Sequence, residues 1–164
     1  YPELMKKLHD AGIVVQGCFA FGGDDEDTSV FERTVEMVQE CKIDLPRYSI
    51  LTPFPNTQFY AQLEAQGRII ERDWAMYDVE HCVFTPAKMT KEQLEEGNEW
   101  AWRETYKLGS IAERLKPFNR NPMVSLLTNF GYRGYAEKFH RFTREVMCDN
   151  SDIPTVDRAA AGRP

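Results

Sequence analysis

The run Ile13-Val14-Val15-Gln16-Gly17-Cys18-Phe19-Ala20-Phe21, halted by Gly22-Gly23, constrains this chain most. Apolar, β-branched and aromatic residues at nearly every position read as a strand covered on both faces. A helix follows: Ser29 and Glu32 fit a capping box, and Phe31, Thr34, Val35 and Val38 recur on one face until about Cys41. Residues 47–52 then read as a second short strand, closed by Pro53-Phe54-Pro55, which cannot continue a ladder. Strand, helix, strand is a βαβ unit, so the two strands are expected to be parallel. A parallel pair needs cover and further strands, and no internal repeat supplies them. The expected fold class is therefore α/β, and the chain is expected to be a piece of a larger sheet.

The flanks are mainly helical. Residues 2–11 read as a helix with Leu4 and Leu8 on one face and Gly12 as its stop. Asn56 and Thr57 offer a cap for a helix carrying Phe59, Tyr60 and Leu63 and ending near Gly67. Residues 68–89 look irregular, with a short strand at 81–85. Thr90 and Gln93 make a second capping box, opening a helix in which Leu94, Ala101, Leu108 and Leu115 recur at sevens beside Ile111, with Pro117 as its end. Asn121-Pro122 opens a last helix whose apolar stripe is Leu126, Leu127, Phe130, Tyr135, Phe139, Phe142 and Val146, weakened by Gly131 and Gly134. Past Cys148 the chain turns polar and reads as a disordered tail. The expected division is 1–67, 68–148 and 149–164.

Composition narrows the function. With 42% apolar residues among 164, a core can be buried. The net charge of -6, with Asp24-Asp25-Glu26-Asp27 in one run, argues against a nucleic-acid partner. No apolar run approaches the roughly 20 residues a bilayer needs, and no leader pattern opens the chain, so a cytoplasmic protein without a transmembrane segment is expected. Cys18, Cys41, Cys82 and Cys148 match no zinc, haem or thioredoxin spacing and read as reduced thiols.

Four constellations carry chemistry. Residues 17–26 lie at the C-terminal end of a parallel strand, where α/β folds place ligands, and glycines there let a ligand approach the backbone. There is no dinucleotide fingerprint or P-loop, and the acids disfavour phosphate; the same residues also serve as a tight turn. Residues 50–57 are a second strand end, or simply a proline-set turn. Tyr77, Asp78 and His81 form a group suited to proton transfer, or a polar loop packed on helices. Tyr132, Arg133, Tyr135, Lys138, Phe139, His140, Arg141, Phe142 and Arg144 interleave bases and aromatics, and helical spacing puts the aromatics on the core stripe and the cations in water. His9 and His140 read as surface residues.

Taken together, Gly17, Phe19, Phe21-Gly22 with the following acids, and Pro53-Phe54-Pro55-Asn56-Thr57, resemble radical S-adenosylmethionine enzymes of the cobalamin-binding class. The family's fifth strand has the form Gly-x-Ile-x-Gly-x-x-Glu, and its sixth ends in Pro-Phe/Tyr-Pro-Gly-Thr, with Asn56 here at the glycine. Gly67-Arg68-Ile69, Asp73-Trp74, Tyr77-Asp78, His81, Val83-Phe84, Pro86 and Met89 extend the likeness over about residues 1–115, and more loosely over 119–147. The resemblance implies the last strands of a partial (βα)6 TIM-like barrel followed by a helical extension. It implies a 4Fe-4S cluster held by a Cys-x-x-x-Cys-x-x-Cys loop, S-adenosylmethionine at the open iron, and a deoxyadenosyl radical that takes a hydrogen atom from substrate. The cofactor contacts would fall on Gly17, Phe19, Phe21, Gly22, Leu51, Thr52 and Pro53.

No cysteine here has the required neighbours, so the chain offers no metal ligand and is expected to be inactive alone, with only His81, Asp78 and Tyr77 as catalytic candidates. Its partners would be the missing N-terminal half of its own chain and a small-molecule or lipid-like substrate. Lipids and tetrapyrroles both occur in such families, and nothing in the sequence chooses between them, or says whether cobalamin takes part. Two other readings stand: a non-catalytic α-rich interaction module built on residues 90–147, and another α/β barrel enzyme using His81 and Asp78 in acid-base chemistry.

Overall fold

The computed structural model describes residues 1–116 and 122–148, with side chains in the last helix described for 123–138. Helix α1 (Pro2–Asp10) leads into β1 (Gln16–Phe21), α2 (Ser29–Glu40) and β2 (Leu45–Ile50). The strands pair in parallel, Gln16 opposite Leu45 and Phe21 opposite Ile50. β1 starts later than its apolar run because the amides of Gly12 and Ile13 close α1 on the carbonyls of His9 and Leu8. The Val15 amide then donates to the Asp44 carboxylate. β2 starts earlier than expected and includes Pro46, whose missing N–H falls on the edge turned away from β1.

That outer edge of β2 is closed by side chains and a loop. Tyr106 Oη donates to the Pro46 carbonyl at 2.6 Å and Trp102 Nε1 to the Tyr48 carbonyl at 3.1 Å. The Ile50 amide donates to the Val79 carbonyl. On the other side of β1 no strand lies among the described residues. The faces differ as well. Phe21 packs edge-on to Phe31 of α2 and stacks on Tyr48, so one face is buried under helices. Gln16, Cys18, Ala20 and Arg47, on the opposite face, are exposed. Among the described residues the expected cover on both faces is thus present on one, and the two strands form no closed barrel.

The helix ends show where local signals held. Helix α3 (Gln58–Ala65) is capped by Thr57, whose hydroxyl accepts from the Tyr60 amide. The expected Ser29/Glu32 box is absent: Asp27 Oδ1 instead accepts from the Ser29 amide and hydroxyl. Beyond α3, a single antiparallel bridge, Ile69 to Phe84, replaces the short strand, and Trp74–Met76 forms one 3-10 turn. The Thr90/Gln93 capping box opens α4 (Lys91–Thr105).

The single helix expected up to Leu115 breaks at Tyr106-Lys107, and α5 (Leu108–Arg114) turns back towards the sheet. The freed carbonyls of α4 find donors there: Glu104 from Ser110 Oγ, Thr105 from Arg114 and Tyr106 from Arg133. Helix α6 (Pro122–Cys148) keeps Tyr135 of the expected stripe inward but turns its N-terminal part the other way. Its inward residues are Ser125, Asn129 and Ala136, with Tyr132 and Tyr135 against Trp102, whereas Leu126, Leu127 and Phe130 face outward. Asn129 is drawn inward because its amide bonds the Asp44 and Ser125 carbonyls and Arg114. Pro117, Asn121 and the tail at 149–164 lie outside the described residues, as do the side chains of Phe139, His140, Arg141, Phe142, Arg144 and Val146.

Candidate functional site

The C-terminal ends of β1 and β2 lie side by side, the Leu51 amide donating to the Phe21 carbonyl at 2.8 Å. At the end of β1 the chain turns through Gly22, whose φ of +108° an L side chain rarely adopts. A Cβ there would stand 3.1 Å from Leu94 and 3.2 Å from Phe84. The turn supplies its own anion. Glu26 Oε2 accepts from the Gly22 and Gly23 amides at 2.8 and 2.9 Å, occupying the donors that a phosphate would need. Asp24 forms a two-pronged pair with Arg68, whose hydrogen bond holds the Asp24 carboxyl below its usual range. Arg68 Nε also donates to the Thr85 carbonyl, so the acidic run fixes the β1 turn to the segment after α3.

At the end of β2, Thr52 Oγ1 donates to the Ile50 carbonyl and Pro53 is buried. Asn56 has φ +64°, a left-handed conformation that glycine and asparagine share, which accounts for Asn at the position where the resembling motif has Gly. Of the predicted cofactor contacts, Gly17, Phe19 and Phe21 turn towards the helical layer, Phe21 being 1% exposed. Gly22 and Pro53 are buried, and Leu51 and Thr52 remain half-open. A ligand at these strand ends would meet backbone, Leu51 and Thr52 before any aromatic ring.

The third predicted group splits. Tyr77 is buried and its hydroxyl donates to the Glu71 carbonyl. Asp78 and His81 stay together, Nδ1 to Oδ2 at 2.8 Å, while Asp78 Oδ1 accepts the amides of Glu80 and His81. The bond to Asp78 raises the His81 pKa above its usual 6.5, outweighing burial. Burial works against the Asp78 carboxylate, but the bonds from His81 and the two amides hold its pKa low. Between them Val79 takes φ +65°, strained for a β-branched residue, and its carbonyl reaches the Ile50 amide. In the fourth group Arg133 is spent on the Tyr106 carbonyl and on Glu137.

Sequence reasoning missed the open face. Cys18 lies beside Arg47 in the strand register, and Ala20 beside Ser49. Arg47 is exposed, lies 6.0 Å over the Tyr132 ring and forms no ion pair among the described residues. The alternation of Gln16, Cys18 and Ala20 with Gly17, Phe19 and Phe21 was the available signal. No group of three or more His, Cys, Asp or Glu among the described residues can hold a metal ion. Cys41 and Cys82 are buried apart, and burial pushes the Cys82 thiol up to about 11. No helix among the described residues is long and apolar enough to cross a membrane.

No family model matches the chain. Curated proteins do. It is 34% identical over 148 residues to the bacteriochlorophyllide d C-12(1)-methyltransferase of Chlorobaculum tepidum, covering 89% of this chain and 30% of that protein. The bacteriochlorophyllide d C-8(2)-methyltransferase of the same organism is 24% identical over 81% of this chain and 29% of its own length. The anaerobic magnesium-protoporphyrin IX monomethyl ester cyclase of Cereibacter sphaeroides is 25% identical over 84% of this chain and 23% of its own. The chain therefore spans less than a third of the length of these relatives, all of them enzymes.

Proposed function

We propose that this chain is part of a radical S-adenosylmethionine enzyme that modifies a side chain of a tetrapyrrole, most simply by methylation. The observation that carries the reading is the 34% identity to a bacteriochlorophyllide methyltransferase over nearly the whole chain. One structural feature supports it. Among the described residues the βαβ unit is closed on its β2 edge and open on its β1 edge, as the end of a larger parallel sheet would be. We read residues 1–67 as the last units of a partial barrel, 68–148 as its helical extension, and the missing strands as lying beyond β1.

The described residues do not fit an iron-sulfur cluster, so its ligands must come from elsewhere in the protein. They fit the apolar side of S-adenosylmethionine better: Leu51 and Thr52, half-open at the strand ends, would line it. Bound at a reduced cluster, that cofactor supplies a carbon radical. What this chain would supply is a dry wall at the strand ends and a loop, 73–85, fixed beside them by Val79, Asp24 and Arg68.

The test is to reconstitute the full-length protein anaerobically with iron and sulfide, then supply reductant, S-adenosylmethionine and a bacteriochlorophyllide. Release of deoxyadenosine with a methylated pigment is expected. A loaded cluster that leaves S-adenosylmethionine intact with every tetrapyrrole offered would sink the assignment. One observation favours the interaction-module reading: Met123, Leu127 and Phe130 present an apolar face on α6.

A further inference from the structure

We infer that Arg47 is a carboxylate-binding residue on the open face of the sheet, holding an acid group of the ligand seated there; this rests on the tetrapyrrole reading above. Four observations lead to it. Arg47 is in the middle of β2, on a rigid element rather than a loop, and its exposed side chain leaves the sheet on the face opposite Phe21 and Tyr48, beside Tyr132 of α6. Its neighbours on that face are small or neutral: Cys18 in register, and Gln16, Ala20 and Ser49 around it.

No carboxylate among the described residues pairs with it, whereas the arginines at 68, 72, 103 and 133 each have an acid partner. Glu80, on the loop after α3, accepts from the Tyr135 hydroxyl. The Tyr132 ring 6.0 Å from the guanidinium carbon gives the fork one flat side and leaves its N–H edges for an acceptor. Those donors match a carboxylate in two-pronged geometry. Chlorophyllides and magnesium-protoporphyrin carry such groups as propionates on an otherwise apolar disc. The methionyl end of S-adenosylmethionine carries one too.

The test uses the full-length protein and direct binding, read from pigment fluorescence without turnover. Magnesium-protoporphyrin IX is titrated against its dimethyl ester, and S-adenosylmethionine binding is measured in parallel, with wild type, Arg47→Lys and Arg47→Gln. Wild type should prefer the diacid; Arg47→Gln should lose about tenfold or more for the diacid and nothing for the diester, the scale of one charge-assisted pair. Arg47→Lys should lose less. An equivalent loss confined to S-adenosylmethionine would also support a carboxylate site and assign the acid to that cofactor. A diacid preference that survives in Arg47→Gln, with unchanged S-adenosylmethionine binding, overturns the arginine's role alone. An equal loss for diacid and diester overturns it too, marking Arg47 as a packing residue for Tyr132. If wild type binds neither pigment, the tetrapyrrole reading falls, and the arginine's role then stands or falls on the S-adenosylmethionine measurement alone.

Discussion

His81 and Asp78 form an ion pair whose pH dependence can be worked out. The His81 pKa is raised by Asp78, so its contribution to stability is fully present below the ordinary value of 6.5 and is lost as pH rises through the folded value. Asp78 is depressed, so its contribution is present above 3.8 and is lost on acidification below that. His81→Gln should therefore cost most stability between about pH 4 and 6.5, no more than about 1 kcal/mol for a partly exposed pair, and least once the pH has passed the raised His81 value. A midpoint difference that stays constant from about pH 5 to 9 would refute the pair. At this scale the sequence was a good guide to turns and a poor one to facing. Thr57, Thr90 and the Pro53–Asn56 turn were legible because caps and left-handed positions have few chemical solutions. Phe19 and Phe21 were placed beside a ligand, but their rings turn to the helices. Gly, Cys and Ala blur the period-2 pattern that would have shown it.

At the scale of elements, α4 packs on α2 through a contact that only glycine allows. A Cβ at Gly97 would overlap the ring of Phe31, which is buried against Phe21. Gly97→Ala gains about 1 kcal/mol of helix propensity, yet overpacking a core ring costs about 1–3 kcal/mol and more where the ring cannot move. A net loss of about 1–2 kcal/mol in chemical denaturation is expected; a stabilised variant would mean that α2 and α4 part easily. The break between α4 and α5 was not legible, because Leu94, Ala101, Leu108 and Leu115 keep a heptad across it although Leu108 is 57% exposed. What makes the break is distant: Ser110, Arg114 and Arg133 supply donors to carbonyls that a continuous helix would have bonded itself. The outward turn of Leu126, Leu127 and Phe130 has the same origin, since polar Asn129 faces inward to meet an arginine that no local pattern announces.

That arginine joins the whole molecule. Arg114 is fully buried, and its two terminal nitrogens donate to the carbonyls of Ile43, Asp44 and Thr105 and to Asn129 Oδ1. The face of the guanidinium lies over the Tyr106 ring. Asp44, also fully buried, accepts the Val15 amide and contacts His9 of α1. The entrances of both strands, the end of α4, and helices α1, α5 and α6 thus meet at one polar knot. Burial pulls the Arg114 pKa down, and the nearby tyrosines and Asp44 oppose that pull. Removing the arginine takes a charged donor from several buried acceptors at once, which costs about 3–5 kcal/mol, against less than about 1 kcal/mol for an exposed pair such as Lys6–Asp10. Arg114→Met keeps the volume and removes the donors, so it should lower stability by about 3–5 kcal/mol. Because α6 is held through Asn129, hydrogen exchange in α6 should quicken before exchange in β1. If Arg114→Met unfolds within about 1 kcal/mol of wild type, with α6 still protected, then apolar packing against Trp102 and Tyr106 holds the helix and the knot is incidental.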